Sequence, residues 1–153
     1  MLKNDEYFMN EALKEAQLAF NENEVPIGCV IVNNDTHEII CRTHNLKESK
    51  NDVTAHAEIL AIRKASEILS SWRLSGHTLY VTVEPCMMCT GAIIQSRIDR
   101  VVYGTREPRM GSLGARFDAT QIEDTNIIVK GDVLKDECES LMKEFFKEKQ
   151  RNI

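Results

Sequence analysis

The sequence predicts an α/β protein: a three-layer α/β/α sandwich built on one mixed five-stranded sheet. Two observations carry this expectation. Apolar residues recur every three to four positions in some segments and form short β-rich blocks in others, in the order αββαβαβα with a weak further strand near the end. The first two strands are close enough for a hairpin, an antiparallel pair, while later strands are separated by helices, as parallel pairs require.

Phe8, Met9, Ala12, Leu13, Ala16 and Phe20 recur at helical spacing and predict a helix over residues 5–21, with Pro26 beyond its end. Ile27–Val32 is a mostly apolar strand, Asn33-Asn34-Asp35 a turn, and Glu38–Arg42 the hairpin partner. The polar stretch 43–54 reads as a loop. Thr54 is the expected cap of a helix from about Ala55 to Leu69, with Ile59, Leu60, Ile62 and Ala65 apolar. Ser75-Gly76 breaks the chain before the strand Thr78–Val83. Pro85 is expected at the first position of a helix ending near Ser96, where its missing N–H costs nothing. Arg100–Tyr103 is a strand, 104–118 a Gly-rich loop, and Ile127–Lys130 a weak strand. A closing helix over Leu134–Gln150 carries Leu134, Cys138, Leu141, Met142, Phe145 and Phe146 on one face.

The length, 153 residues, and the absence of repeats or linkers predict one domain over 1–153. Met1-Leu2-Lys3-Asn4-Asp5-Glu6 is too polar for a signal peptide, and no apolar run reaches the ~18 residues of a membrane span. The expected place is the cytoplasm, with no membrane partner. The five cysteines are an odd count, against a complete disulfide framework, and in a reducing compartment a Cys-x-x-Cys pair reads as metal-binding or redox-active. The net charge of -5 is not that of a general nucleic-acid binder. Residues 97–116 nevertheless hold Arg97, Arg100, Arg106, Arg109 and Arg116 against Asp99 and Glu107. A local basic patch is what any phosphate contact would use; the alternative is a solvated charged loop.

The chemistry is concentrated in His56-Ala57-Glu58 and Pro85-Cys86-Met87-Met88-Cys89. One imidazole and two thiols make three zinc ligands, which leaves one tetrahedral corner for water, as at a catalytic zinc. Cys86 and Cys89, three apart at a helix start, lie about 60° apart on one face. There, free backbone N–H groups and the dipole favour thiolates. His56 and Glu58, two apart, would point about 200° away from each other inside a helix, so the pair serves one site only at the opening turn. Glu58 is then a carboxylate beside the metal, available as proton shuttle rather than ligand. Zinc would bring the pKa of its water toward ~7, and the hydroxide would attack a ring carbon bearing an amino group while Glu58 moves the protons. The pattern H-x-E…P-C-x-x-C is that of the zinc base deaminases. Cys-x-x-Cys alone would fit a redox pair or half a structural zinc site, but His37, His44, His77, Cys29, Cys41 and Cys138 show no spacing for a fourth ligand. Cys29, Cys41 and Cys138 read as core residues, and Met87 and Met88 as packing residues, one of which could instead line the pocket.

On these residues the chain resembles the cytidine-deaminase-like superfamily, and within it most closely the bacterial tRNA adenosine deaminases. The resemblance runs from about residue 5 to 149. It includes Glu24-Val25-Pro26-Ile27-Gly28-Cys29-Val30, His44-Asn45, Thr54–Ile59, Leu79–Cys89, Gly91–Ile98 and Val133–Cys138. It implies a cytidine-deaminase-like fold, one zinc per chain on His56, Cys86 and Cys89, and conversion of adenosine to inosine at the wobble position. It also implies a tRNA anticodon loop as partner, and a homodimer whose second chain contributes to the RNA groove. Asn45 would hold the target base, with Ala57, Glu107, Arg106 and Arg109 also in the substrate site; without the resemblance, Asn45 reads equally as a turn residue. An anticodon loop is already unpaired, which lowers the cost of flipping a base into a pocket. Arg97, Arg106 and Arg109 could meet its phosphates. The segment after Tyr103 departs from the family: Glu107 stands where an Asp is usual, and Asp124-Thr125-Asn126 where an Asn-His pair is usual. Deamination of a free base or nucleoside, such as cytosine or guanine, is the enzymatic alternative, and a non-catalytic structural-zinc partner the other.

Overall fold

Helix α1, Asp5–Asn21, starts where the side chain before it dictates: Asn4 is extended and its Oδ1 accepts the Tyr7 N–H at 2.9 Å. Asp5 and Glu6 then face the positive end of the helix. The computed structural model describes residues 3–121 and 125–151; Asp124 of the departing segment lies outside them. After α1 come the strands β1 (Gly28–Asn33) and β2 (Ile39–His44), helix α2 (Ala57–Leu69) and strand β3 (His77–Val83). Helix α3 (Met87–Gln95), strand β4 (Arg100–Thr105), a 3-10 turn (Ala119–Gln121), strand β5 (Ile128–Lys130) and helix α4 (Lys135–Arg151) complete the order.

The strands form one five-stranded sheet in the order β2-β1-β3-β4-β5. β1 is antiparallel to β2 and β3, while β3–β4 and β4–β5 are parallel, so the sheet is mixed. Side chains alternate between its faces with the period of two that a strand imposes. Val30, Val32, Tyr80 and Val102 pack with Phe8, Met9 and Ala12 of α1 and with Cys138 of α4. Cys29, Ile31, Leu79, Val81, Val101 and Tyr103 pack on the opposite face with Ala57, Ala61 and Ala65 of α2 and Ile93 of α3. That is the three-layer arrangement. Cys29, Cys41 and Cys138 are all buried in it. α1 crosses β1 so closely that a Cβ on Gly28 would overlap the Ala12 carbonyl and the Ala16 amide.

The hairpin partner runs to His44, two residues beyond the expected Arg42, because the ladder continues through Cys29↔Thr43 and Gly28↔His44. Two helix starts differ from expectation. Thr54 does not cap α2; its hydroxyl and amide both bond to Asp52 Oδ1, at 2.7 and 2.9 Å, in a tight turn ahead of the helix. Pro85 is not the first residue of α3. Its carbonyl accepts the Ser112 amide and hydroxyl, so the chain is still docked to a loop there and becomes helical only after Cys86. Among the described residues, no helix is long and apolar enough to cross a membrane.

Candidate metal centre and active site

α2 and α3 begin next to one another on one face of the sheet, and His56 and Cys86 are their N-cap residues. Both are extended (ψ 151° and 176°), and neither side chain caps its own helix. The residue type usual at this position would accept a first-turn N–H. Here the imidazole and the thiol turn to each other instead, with His56 Nδ1 at 3.7 Å from Cys86 Sγ and 3.5 Å from Cys89 Sγ. The three donor atoms lie within 4.8 Å of one another, close enough for one ion, and no fourth His, Cys, Asp or Glu among the described residues joins them. One imidazole nitrogen and two sulfurs with an open corner suit zinc. Cys89 is buried in the first turn of α3, where unpaired N–H groups favour negative sulfur.

The protons in this cluster are shared. The Cys86 thiol is lowered to about 4, chiefly because the Cys89 thiol donates to it, with His56 as a second donor. Cys89 is correspondingly raised as that donor, and His56 is raised by its contact with the Cys86 sulfur. Glu58 stands in the first turn of α2, 4 % exposed, with its carboxyl in contact with the Cys89 thiol. Burial is the main cause that pushes this carboxyl up to about 7.

Two loops frame the centre, each held by a buried glutamate that sequence reasoning passed over. Glu24 accepts the amides of Glu48 and Ser49, at 3.0 and 2.6 Å, and the Ser49 hydroxyl. This pins the loop leading to His56. Glu84 accepts the amides of Glu107, Leu113 and Ala115 and pins the loop that covers α3. The readable signal was a glutamate at the end of an apolar strand, directly before Pro85-Cys86.

Asn45 is buried in the first loop, its Oδ1 accepting the Lys47 amide at 3.2 Å, while the next residue's amide reaches the carbonyl of Ala55. Ala57 is buried at the first position of α2 and accepts the Thr43 hydroxyl at 2.7 Å. Arg106, Glu107 and Arg109 lie elsewhere. They line a groove of about 620 Å³ against Met142, Lys143, Phe146 and Lys147 of α4. None of the three donor residues lines that groove. Arg97 does not line this groove; it follows the C-terminal end of α3 and lines a separate surface hollow with Ile94, Ile98 and Asp99. Met87 and Met88 are 67 % and 37 % exposed, which corrects the reading of them as packing residues: on the first turn of α3 their side chains point away from the core while Cys89 points in.

Residues 2–105 match the cytidine and deoxycytidylate deaminase zinc-binding region. The chain belongs to that deaminase family. Deaminases of this kind include a tRNA-specific adenosine deaminase of Bacillus subtilis, 47% identical over 94% of this chain and 89% of its own length. A solved structure from a study of A-to-I editing by tRNA:A34 deaminases is 42% identical and superposes with a TM-score of 0.82 over 88% of this chain and 98% of its own. A guanine deaminase of Nitrosomonas europaea is 25% identical, with a TM-score of 0.84 over 95% of this chain and 86% of its own.

Proposed function

We propose that the chain is a zinc-dependent hydrolytic deaminase that converts adenosine to inosine at the wobble position of tRNA, working as a single catalytic domain in the cytoplasm. The observation that carries the chemistry is the convergence of His56, Cys86, Cys89 and Glu58 on two adjoining helix starts. The substrate follows from similarity, since relatives sharing nearly half their residues with this chain are tRNA-specific adenosine deaminases. Five free cysteines suit a reducing compartment.

His56, Cys86 and Cys89 would hold the ion. Zinc supplies a Lewis acid that brings the pKa of a water molecule toward ~7. Glu58 moves the protons. A carboxyl with a pKa of about 7 can both accept and donate at neutral pH. It takes one proton from the attacking water and passes it to the ring nitrogen beside the amino-bearing carbon, then takes the second from the hydroxyl left on that carbon and delivers it to the amino group, which departs as ammonia. The balance is adenosine plus water to inosine plus ammonia. Asn45 holds the base by its side-chain amide, beside the first-turn backbone of Ala57. Arg106 and Arg109, next to Glu107, take the phosphates along the groove formed with α4. A second copy of the chain covers the apolar surface of Met87 and Met88 beside the metal centre and completes the RNA groove; a monomer in sedimentation at assay concentration would remove this part of the reading.

The close superposition with a guanine deaminase favours a second reading, in which a free base is the substrate. Ammonia release from a tRNA pool, compared with free adenosine, cytosine and guanine, separates the two. Release with tRNA alone is expected. Release with a free base alone would establish the second reading, and none at all would leave a structural-zinc protein.

A further inference from the structure

We propose that Glu84 is a positioning residue of this site: its carboxylate seats residues 107–115 against α3 and so sets the wall along which the substrate lies. The inference rests on the deaminase reading of the same site. Glu84 directly follows β3, two residues before Cys86, and is 3 % exposed. Among the described residues no lysine or arginine pairs with it. Its partners are three amides of one loop: Glu107 N–H to Oε1 at 3.1 Å, and Leu113 and Ala115 N–H to Oε2 at 2.8 and 3.1 Å. A buried carboxylate is tolerated only when its oxygens are satisfied, so the loop and the acid hold each other in place.

Further contacts, through Gly111 and Ser112, tie the same loop to the metal helix. Gly111 pairs with Cys86 in an isolated bridge. Ser112 donates its amide and its hydroxyl to the Pro85 carbonyl, at 3.0 and 3.1 Å, and lies 2.6 Å from the Thr90 hydroxyl. Gly111 has no room for a side chain, since a Cβ there would stand 2.6 Å from the Glu84 carboxyl carbon. The other end of the loop, Arg106 to Arg109, forms one side of the basic groove. Glu84 thus connects the metal-ligand helix to the groove wall without touching either metal or substrate.

The test uses the zinc-loaded full chain and an anticodon stem-loop RNA with adenosine at the wobble position. A wild-type protein that releases no ammonia overturns the deaminase reading, and this inference with it. With wild type active, Glu84→Gln is expected to keep one zinc per chain and to raise KM about tenfold or more while kcat changes less, because an amide cannot accept three N–H groups and the wall shifts. Unchanged KM, or a zinc loss that accounts for all the lost activity, overturns the role of Glu84 and leaves the deaminase reading standing. Gly111→Ala displaces the same contact from the loop side and is expected to reproduce the KM shift; failure to do so counts equally against the proposal. Hydrogen exchange in wild type reads the clamp without any variant. The amides of Glu107, Leu113 and Ala115 are expected to exchange at least about tenfold more slowly than that of exposed Met110, and equal rates overturn the clamp.

Discussion

His56 and Cys86 hold the same position in two different helices: each is an N-cap, of α2 and α3, and the imidazole Nδ1 of one lies 3.7 Å from the Sγ of the other. Two sets of unpaired first-turn amides therefore converge on one point. A lone cation would be disfavoured there, and thiolates are favoured, which suits a site whose charge is set by two sulfurs.

Proton release follows from that sharing. Near pH 7 the Cys86 sulfur is already ionised, while Cys89 retains its proton and His56 is raised. All three must be deprotonated to hold zinc. Uptake of one ion by the metal-free chain is thus expected to release at least one proton, that of Cys89, read with a pH indicator in weak buffer. Release of none would mean that the ion binds elsewhere. Cys86→Ala is expected to abolish both the uptake and the release.

Glu58→Gln separates proton transfer from metal holding. The side chain keeps its shape, and Glu58 is outside the three-residue donor cluster, so zinc content and Tm are expected to stay near wild type. Without a carboxylate to move protons, kcat is expected to fall about 10²–10⁴-fold. Turnover near wild type would remove Glu58 from the role proposed for it.

The elements that position this site were legible for a plain reason. Periodicity reports burial, and α1, α2 and β3 bury one face or both. The helix starts were less legible because sequence rules look for Ser, Thr, Asp or Asn as caps. At His56 and Cys86 the cap positions are taken by metal-binding residue types, so Thr54 and Pro85 stood out in their place. Glu24 and Glu84 were easily missed as organisers, since glutamate ordinarily reads as surface, and only the place of Glu84 between an apolar strand and Pro85 hinted otherwise. Their burial depends on loops 45–55 and 106–118, whose paths are set by tertiary contacts and leave no periodic trace. Met87 and Met88 misled for the converse reason: apolar residues on a first helical turn are assigned inward, but α3 starts at Met87, two residues later than Pro85, and turns Cys89 rather than the methionines to the core.

Asp5 should dominate the acid response of the fold. It begins α1 and accepts from Arg100 at 2.8 and 2.6 Å, from Lys130 at 2.8 Å and from Tyr80 at 2.7 Å, joining that helix to β3, β4 and β5. The Arg100 guanidinium foremost holds its carboxyl well below the usual range. A depressed acid stabilises the fold fully above its unfolded value, near 4, and loses that contribution as pH falls below it. Asp5→Asn is expected to cost about 2 kcal/mol near neutrality, with the difference from wild type narrowing below about pH 4. Thermal melts across that range check the sign; a constant difference would contradict it.

Gly28→Ala tests the closest approach in the sandwich. The added methyl has no flexible neighbour to displace, because it meets the Ala12 carbonyl and the Ala16 amide of the α1 backbone. The helix must lift from the sheet, and a loss of about 3 kcal/mol or more is expected in denaturant unfolding. Zinc affinity is expected to change little, since α1 lies on the face opposite α2 and α3. A mild effect would show that α1 can slide along β1.

The groove between residues 106–109 and α4 gives the sharpest separation between an RNA substrate and a free base. Two of its cations are partly committed, Lys143 to Glu139 at 2.6 Å and Arg106 to Asp132 at 3.5 Å. Arg109 and Lys147 have no such ion pair among the described residues, so they are the cations to reverse. Neither belongs to the donor cluster. Arg109→Glu and Lys147→Glu are therefore expected to raise KM for an anticodon stem-loop while leaving zinc content unchanged. Each should also reduce the slope of log affinity against log salt by about one, the signature of one lost phosphate contact. A free base carries no phosphate, and its turnover would pass through these substitutions untouched. Unaltered KM and salt slope for the RNA would mean that the strand takes another path to the metal.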